Sequence, residues 1–512
     1  MLGEIKDCPP EEPVAVKEMP FIVKGAGLFL FGTLISSGLK YLFEFIVARR
    51  LGPSAFGVFF LGLTVFKLME KVGPLELNQG LLRFIPVRKD EEETASVSAV
   101  ILAALRISIF FSAILAFLVF LFASPIGKGF FHVSSVALVL RVLSLGLIFS
   151  VAAELLAFSL QALGAIRYRV YFRLVLEPAL SIIIVLFLFQ FGPSLWAPPI
   201  ALIAPFFLSF FLGFWFLRKF LRGQFKGRTV EPDDFKELLA FSLPLFLASL
   251  LSFLLYQVTP LMFGYFRSAQ EVGLYAAALR TSFLLLLTLE AFNAVFAPLI
   301  SDLTNRGDLR TLEALFKVIT KWVFSLSLPL FLILSLFGRE VLGLWGKRYQ
   351  QAFLCLLILA AGQLINCATG PVGYMISMSG RPKLSLANTS ATLILNIFLN
   401  LFLIPRYGII GGAISFALSL SLVNLARLIE VWLILKIHPY RLDFYKPLLA
   451  GFISFLITLG LRSHFFSAGD LIRLVLGTLA FGLIYSLLLV GLGIAEEEKI
   501  ILVKIKEKLS LR

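Results

Sequence analysis

The side chains best suited to chemistry in this 512-residue chain are charged groups set inside long apolar runs. Thr33, Ser37, Lys40 and Glu44 fall at i, i+4, i+7 and i+11, on one face of a helix. Thr64, Lys67, Lys71 and Asn78 follow along one face of the next run, with Glu70 beside them. Ser249, Ser252, Tyr256 and Thr259 make a third polar stripe, and Arg280, Glu290 and Asn293 come after it. Insertion scales put a Lys, Arg or Asp at a helix centre in a bilayer at about 2.5–3.5 kcal/mol. Lys40, Glu44, Lys67, Glu70 and Lys71 would together cost on the order of 10 kcal/mol facing lipid, so they are expected to face a wet cavity or one another. Lys40 and Glu44 can neutralise each other at i, i+4, whereas Lys67 and Lys71 have only Glu70 nearby. Arg106, Arg141, Arg427 and Glu430 read as helix–helix contacts or snorkelling groups. Glu154 fits either description.

A cationic cavity in mid-membrane suits an anionic substrate such as the pyrophosphate of a lipid-linked sugar, because Lys and Arg bind phosphate by charge and by several donors. Lys40, Lys67, Lys71 and Arg280 are the candidate binding cations, with Tyr256 and Asn78 on the same polar faces. Glu44, Glu70 and Glu290 are the carboxylates placed to bind H+ or Na+ and couple transport to an ion gradient. The 54 Phe mark lipid-facing and core positions rather than a sugar platform. No G-x-x-x-x-G-K-[ST] loop offers a built-in ATPase, and no Asp-x-Asp pair offers a metal-bound sugar nucleotide. Cys8, Cys355 and Cys367 lack the spacing of a disulfide framework or zinc site, and His132, His438 and His464 lie in separate loops. No metal and no cofactor are expected.

The elements that hold these groups follow from composition. Hydrophobic residues are 59% and charged residues 15%, against about half and a quarter in soluble domains. Apolar runs near the ~20 residues of a spanning helix recur along the chain, too long for barrel strands. They read as fourteen spans at 24–49, 54–83, 95–123, 135–162, 172–191, 196–217, 237–265, 271–300, 312–337, 350–378, 385–404, 411–435, 447–463 and 470–493. Most Lys and Arg lie on the tails and even-numbered connections, among them Arg88, Lys89, Arg167, Arg169, Arg173, Arg218 and Lys219; the odd connections carry few, such as Arg49, Arg50 and Lys128. The bias puts both termini in the cytoplasm, with the chain in the inner membrane. It also accounts for the net charge of +15 without nucleic acid.

The chain repeats itself. A shift of 216 residues lays Gly57 on Gly273, Gly164 on Gly380 and Gly192 on Gly408, each read as a span junction. Six helices is an even number, so the halves run parallel, an architecture of alternating-access transporters with the substrate between the halves. The expected fold is an all-α polytopic membrane protein: two six-helix lobes in parallel pseudo-twofold repeat plus two C-terminal helices. Its divisions are a disordered cytoplasmic tail (1–20), an N-lobe (21–222), a linker (223–236), a C-lobe (237–437), helices 13 and 14 (438–495) and a C-terminal cytoplasmic tail (496–512).

Several junctions carry a resemblance. Ala48-Arg49-Arg50-Leu51-Gly52-Pro53-Ser54-Ala55-Phe56-Gly57 resembles the A-R-x-L-G-P-x-x-[YF]-G junction after the first span of oligosaccharide flippases, in the multidrug/oligosaccharidyl-lipid/polysaccharide exporter superfamily. Leu77-Asn78-Gln79-Gly80-Leu81-Leu82-Arg83-Phe84 is similar to the end of their second span, and Glu271-Val272-Gly273-Leu274-Tyr275-Ala276-Ala277-Ala278 to their E-V-G-x-Y-x-x-A. Gly380-Arg381-Pro382 and Tyr407 to Ala413 match later junctions. The resemblance covers about residues 20–440. It implies a flippase carrying a polyprenyl-diphosphate-linked oligosaccharide outward for surface polysaccharide export, working beside a polysaccharide polymerase. Within the superfamily the alternatives are a lipid II flippase and a drug/cation antiporter, which would want an acidic cavity. A membrane glycosyltransferase or polymerase is the alternative of another class; the repeat and the short outer loops speak against an enzyme.

Overall fold

The computed structural model describes residues 14–90, 94–221, 232–462 and 469–493. In a bilayer every backbone N–H and C=O must be satisfied within the protein, so a chain this apolar folds into helices. Among the described residues, twelve helices are long and apolar enough to cross a membrane. Two of them contain a reversal, which makes fourteen crossings. The first two crossings are arms of one helix, Val14–Val72, bent at Gly52, and the second resumes as Leu77–Asp90. The third is Thr94–Pro125 and the fourth Ser135–Ala162. The fifth joins Ile166–Arg169, a π-helical stretch Val170–Leu176 and Glu177–Leu188; the sixth is Ala197–Phe220. The seventh is Pro232–Phe266, and the eighth is Ala269–Ser282 continued by Leu286–Arg306. The ninth is Leu309–Trp345, and the tenth Phe353–Thr369 with Val372–Met378. The eleventh and twelfth are arms of Pro382–Leu435, bent at Gly408; Tyr445–Arg462 and Asp470–Gly491 complete the set.

Span positions agree with the sequence reading, with three differences. Helix begins at Val14, so residues 14–20 are not the irregular tail expected; the rest of that tail, most of the 223–236 linker and the 496–512 tail lie outside the described residues. Arg167, Arg169 and Arg173, read as loop charges, are helical. Gly57 and Gly273 are not junction residues: they lie inside the second and eighth spans, where the helices touch. A Cβ on Gly57 would sit 1.8 Å from the Ala269 carbonyl oxygen, and one on Gly273 2.0 Å from that of Pro53. Pro53 and Ala269 are themselves 216 apart, so the contact is reciprocal under the repeat. Gly164 and Gly380, also 216 apart, both hold positive φ (+88° and +82°), which glycine adopts without steric penalty.

The first half (spans one to six) and the second half (seven to twelve) meet most densely at the end of the bundle that carries Gly52. Trp345 of the ninth span is fully buried there, with its ring 5.4 Å from those of Tyr41 and Phe45, and Phe56 next to it. Tyr349 donates to the Ala48 carbonyl at 3.1 Å. Ala48 shifted by 216 becomes Gly264, and there Phe131 of the third connection packs into the space a Cβ would need. The last two spans lie against the ninth. Lys321 pairs with Asp443 at 2.6 Å near one end, Arg462 with Glu340 at 3.0 Å near the other, and Tyr485 donates to the Ser325 carbonyl between them.

Candidate functional site

A cavity of about 410 Å³ opens in mid-bundle. Its nearest charged wall residue to the bend, Glu44, is eight residues from Gly52, roughly 12 Å along the helix at 1.5 Å per residue. The polar faces of the first two spans form one wall: Lys40, Glu44, Lys67, Glu70, Lys71 and Asn78 all line it. The fourth, fifth and sixth spans close it with Glu154, Arg173, Glu177 and Phe206, and Phe253 of the seventh span reaches in from the second half.

Its ion pairs differ from those expected by spacing. Lys40 and Glu44 do not pair, and Lys40 makes no ion pair or hydrogen bond among the described residues. Glu44 instead accepts from Arg280 of the eighth span, Nη2 to Oε1 at 2.9 Å with Nε on Oε2, while Lys67 stays 3.8 Å away. Arg280 stands behind Glu44, with its guanidinium 5.5 Å from the Phe60 ring, and does not line the cavity. Lys71 pairs with Glu76, which also accepts from Ser249 Oγ of the seventh span at 2.7 Å. Glu76 is buried at the break between Val72 and Leu77, where Leu75 and Glu76 both take left-handed backbone (φ +48° and +56°). That conformation costs an L-residue about 1–2 kcal/mol, so the surrounding contacts must hold it.

Arg173 is the hub of the opposite wall. It donates to Glu154 and Glu177 at 2.7 Å each and lies 3.6 Å from Glu70, which also accepts from Ser150. Arg169 adds a second cation 3.7 Å from Glu154. Both arginines belong to the fifth span, and Arg173 sits in its π-helical stretch, a form in which helices re-aim side chains, often at functional sites. The spacing 169, 173, 177 put all three on one helical face, a signal hidden by reading the arginines as topology charges. Glu76 left a fainter trace, the helix-breaking Gly73-Pro74 just before it.

Four cations (Lys40, Lys67, Lys71, Arg173) and five carboxylates (Glu44, Glu70, Glu76, Glu154, Glu177) thus line the cavity. The broad cationic surplus expected over Glu44 and Glu70 alone is corrected to a local one. Arg173 and Arg169 hold the acids of one wall, Arg280 holds Glu44 with Lys67 sharing it at 3.8 Å, and Lys40 is the lining cation that makes no ion pair among the described residues. Asn78, mostly buried, leaves its Oδ1 without a partner. Tyr256 and Glu290 are elsewhere, on the second half, where Tyr256 packs between Phe283 and Phe416. Arg141 binds Ser124, Arg427 contacts Thr389 and Glu430 accepts from Asn388, all helix-to-helix contacts.

Comparison with known proteins places this architecture. The chain is 26% identical over 159 residues to the probable low-salt glycan biosynthesis flippase Agl15 of Haloferax volcanii, a stretch that is 31% of this chain and only 34% of that protein. It is 23% identical over 498 residues to the succinoglycan biosynthesis transport protein ExoT of Rhizobium meliloti, covering 91% and 92% of the two chains. Among solved structures, the lipid II flippase MurJ in an inward closed conformation superposes with a TM-score of 0.69 at 18% identity, over 90% of this chain and 98% of that one. A MatE family profile matches residues 244–402. The profile for polysaccharide biosynthesis proteins matches residues 22–304, more than half of the chain. The protein is a multi-pass membrane protein of the polysaccharide biosynthesis protein family, within the multidrug/oligosaccharidyl-lipid/polysaccharide exporter superfamily.

Proposed function

We propose that the protein is a flippase, not an enzyme, that carries a polyprenyl-diphosphate-linked oligosaccharide across the cytoplasmic membrane for surface polysaccharide export. Its two lobes, 21–222 and 237–437, alternate access to the cavity while 438–495 forms an appended pair. The Gly52 end faces outward and both termini face the cytoplasm, in keeping with the Lys and Arg bias. Family membership supports the reaction class. The single observation that carries the reading is the pair of lysines in a cavity walled by membrane helices, Lys40 without an ion pair among the described residues and Lys67 only sharing Glu44, at 3.8 Å, with the closer Arg280. A diphosphate crossing a low-dielectric region needs counter-charge, and it is the one group common to glycolipids of differing sugars. Lys71 joins them when the substrate draws it from Glu76; Arg280 acts through Glu44, and Asn78 offers a neutral hydrogen bond. Glu44 and Glu70 are the cavity carboxylates through which H+ or Na+ would drive return of the empty carrier. The five lining carboxylates give some support to a cation antiporter as the second reading, although all five already face cations.

Flipping of a fluorescent polyprenyl-diphosphate oligosaccharide in reconstituted vesicles tests the proposal. Lys67→Gln removes one charge-assisted contact, about 1.5–3 kcal/mol or roughly ten- to a hundredfold in affinity. Glu at that position is expected to be worse than Gln. Undiminished flipping by a Lys40→Gln, Lys67→Gln double variant, at equal protein level, would overturn the electrostatic reading. Transport indifferent to both pH and Na+ gradients would remove the coupling role.

A further inference from the structure

The second half carries polar groups that the diphosphate reading does not use. Shifted by 216 residues, Lys40 becomes Tyr256 and Pro74 becomes Glu290; Lys40 and Pro74 both line the cavity. The same positions of the fold therefore present a charged or apolar group on one side and a phenol and a carboxylate on the other. Tyr256 stands within electrostatic reach of Glu290, of Tyr374 on the tenth span and of Arg427 on the twelfth, and Tyr374 within reach of Glu290. Arg427 lies against the backbone of Gly373, where a Cβ would be 3.4 Å from its Nη1. It donates to Thr389 Oγ1 at 3.3 Å, and its Nε has no hydrogen-bond partner among the described residues. The Tyr256, Tyr374 and Glu290 side chains make no hydrogen bond or ion pair among the described residues. Phe253, one turn before Tyr256, already reaches the cavity.

These groups differ in kind from the first-half wall. There, each Arg is locked to carboxylates; here an acid and a guanidinium held by one long hydrogen bond to a threonine stand around Tyr256 with a second phenol, and the acid and both phenols have no hydrogen bond among the described residues. Planar carboxylates and guanidinium groups engage hydroxyls in pairs, and tyrosine combines an apolar ring face with a hydroxyl. That set matches a pyranose, which has apolar C–H faces and a rim of hydroxyls. It matches a diphosphate poorly, because Glu290 would repel it. We propose that Tyr256, Glu290, Tyr374 and Arg427 form a glycan subsite on the second half that holds the first sugars of the substrate while the lysines of the first half hold its diphosphate.

This inference rests on the flippase reading, and two probes separate them. Protein in nanodiscs is titrated with geranylgeranyl diphosphate, the anion without sugar, and with the polyprenyl-diphosphate oligosaccharide pool extracted from the source cells. Tyr374→Phe, Glu290→Gln and Arg427→Lys are each expected to weaken binding of the glycosylated pool by roughly two- to tenfold, and to leave geranylgeranyl diphosphate unchanged. Lys67→Gln should weaken both. Elution as a single monodisperse peak controls for folding, and the conservative Arg427→Lys guards against collapse of a helix contact. Variants that lose both probes equally, or neither, overturn the subsite. So does Glu290→Gln that alters only the pH dependence of transport, since that outcome makes Glu290 a coupling group. If wild-type protein binds the bare diphosphate as tightly as the glycosylated pool, the subsite fails and the diphosphate reading stands. If Lys67→Gln affects neither probe, the diphosphate reading is what fails.

Discussion

Two of the places where the halves touch are chemically opposite. At the Gly52 end, Gly57 and Gly273 bring two helix backbones into direct contact, and Trp345, Tyr349 and Phe131 fill the surrounding space. Toward the other end, the second and seventh spans meet through Glu76 and Ser249, through Leu238 and Ser242 against Gly80, and through Arg83 stacked 4.4 Å from the Phe241 ring. The first contact is dry, reciprocal and built of unstrained helix. The second is polar, has no repeat-related twin in the same form and includes two left-handed residues. A dry seal made of backbone can exist only whole or not at all. A polar latch with strained backbone has competing partners and can be released by one of them. In an alternating-access protein the substrate supplies such a competitor, since an anion near Lys71 draws it from Glu76.

The two contacts are told apart most sharply at Gly57. Gly57→Leu must separate the crossing helices, at more than the ~1–3 kcal/mol of ordinary overpacking. We expect flipping to be lost and the Gly52 end to become reactive to membrane-impermeant thiol reagents at an introduced cysteine. Gly273→Leu should do the same because the contact is reciprocal; if only one of the two has this effect, the crossing is not the seal. Trp345→Ala comes next. Emptying a buried aromatic site costs ~3–5 kcal/mol, read as a lower midpoint in thermal unfolding of detergent-solubilised protein. The smallest effect belongs to the latch. Glu76→Gln keeps an acceptor for Ser249 but removes the charge that holds Lys71, which is a third exposed. The loss is about 1 kcal/mol, enough for roughly a fivefold change in the opening equilibrium. Single-molecule distance measurements between the second and seventh spans should see more open molecules, with unfolding midpoints nearly unchanged.

The sequence made the spans legible because lipid leaves so few ways to satisfy a backbone. It made the repeat legible because left-handed turns and close crossings both demand glycine, so Gly57, Gly164 and Gly192 recur at fixed distance. The first wall of the cavity was legible too, since Lys40, Glu44, Lys67, Glu70 and Lys71 stand out against apolar neighbours. The opposite wall was not. Arg169 and Arg173 follow a turn glycine, as topology-setting charges do, and nothing local marks the π-helical stretch that turns Arg173 inward. Pairings such as Arg280 with Glu44 are tertiary facts: nearest neighbours in sequence pointed to Lys40, whose helix geometry allows the pair but whose competitor from another helix has two donors against one.

The ion pairs of the last two helices bear on how the machine can be watched. Asp443 and Arg462 flank the thirteenth span, and each is tied to the ninth span by its own salt bridge, with Tyr485 of the fourteenth tied between them. A body fixed at three points along its length cannot swivel on its support. The pair is thus a rigid outrigger of the second half, and a dye placed far out on it, at Gly482 for example, sweeps a wider arc than any residue near the cavity. A rocking too small to resolve at the substrate would be magnified there into a measurable displacement.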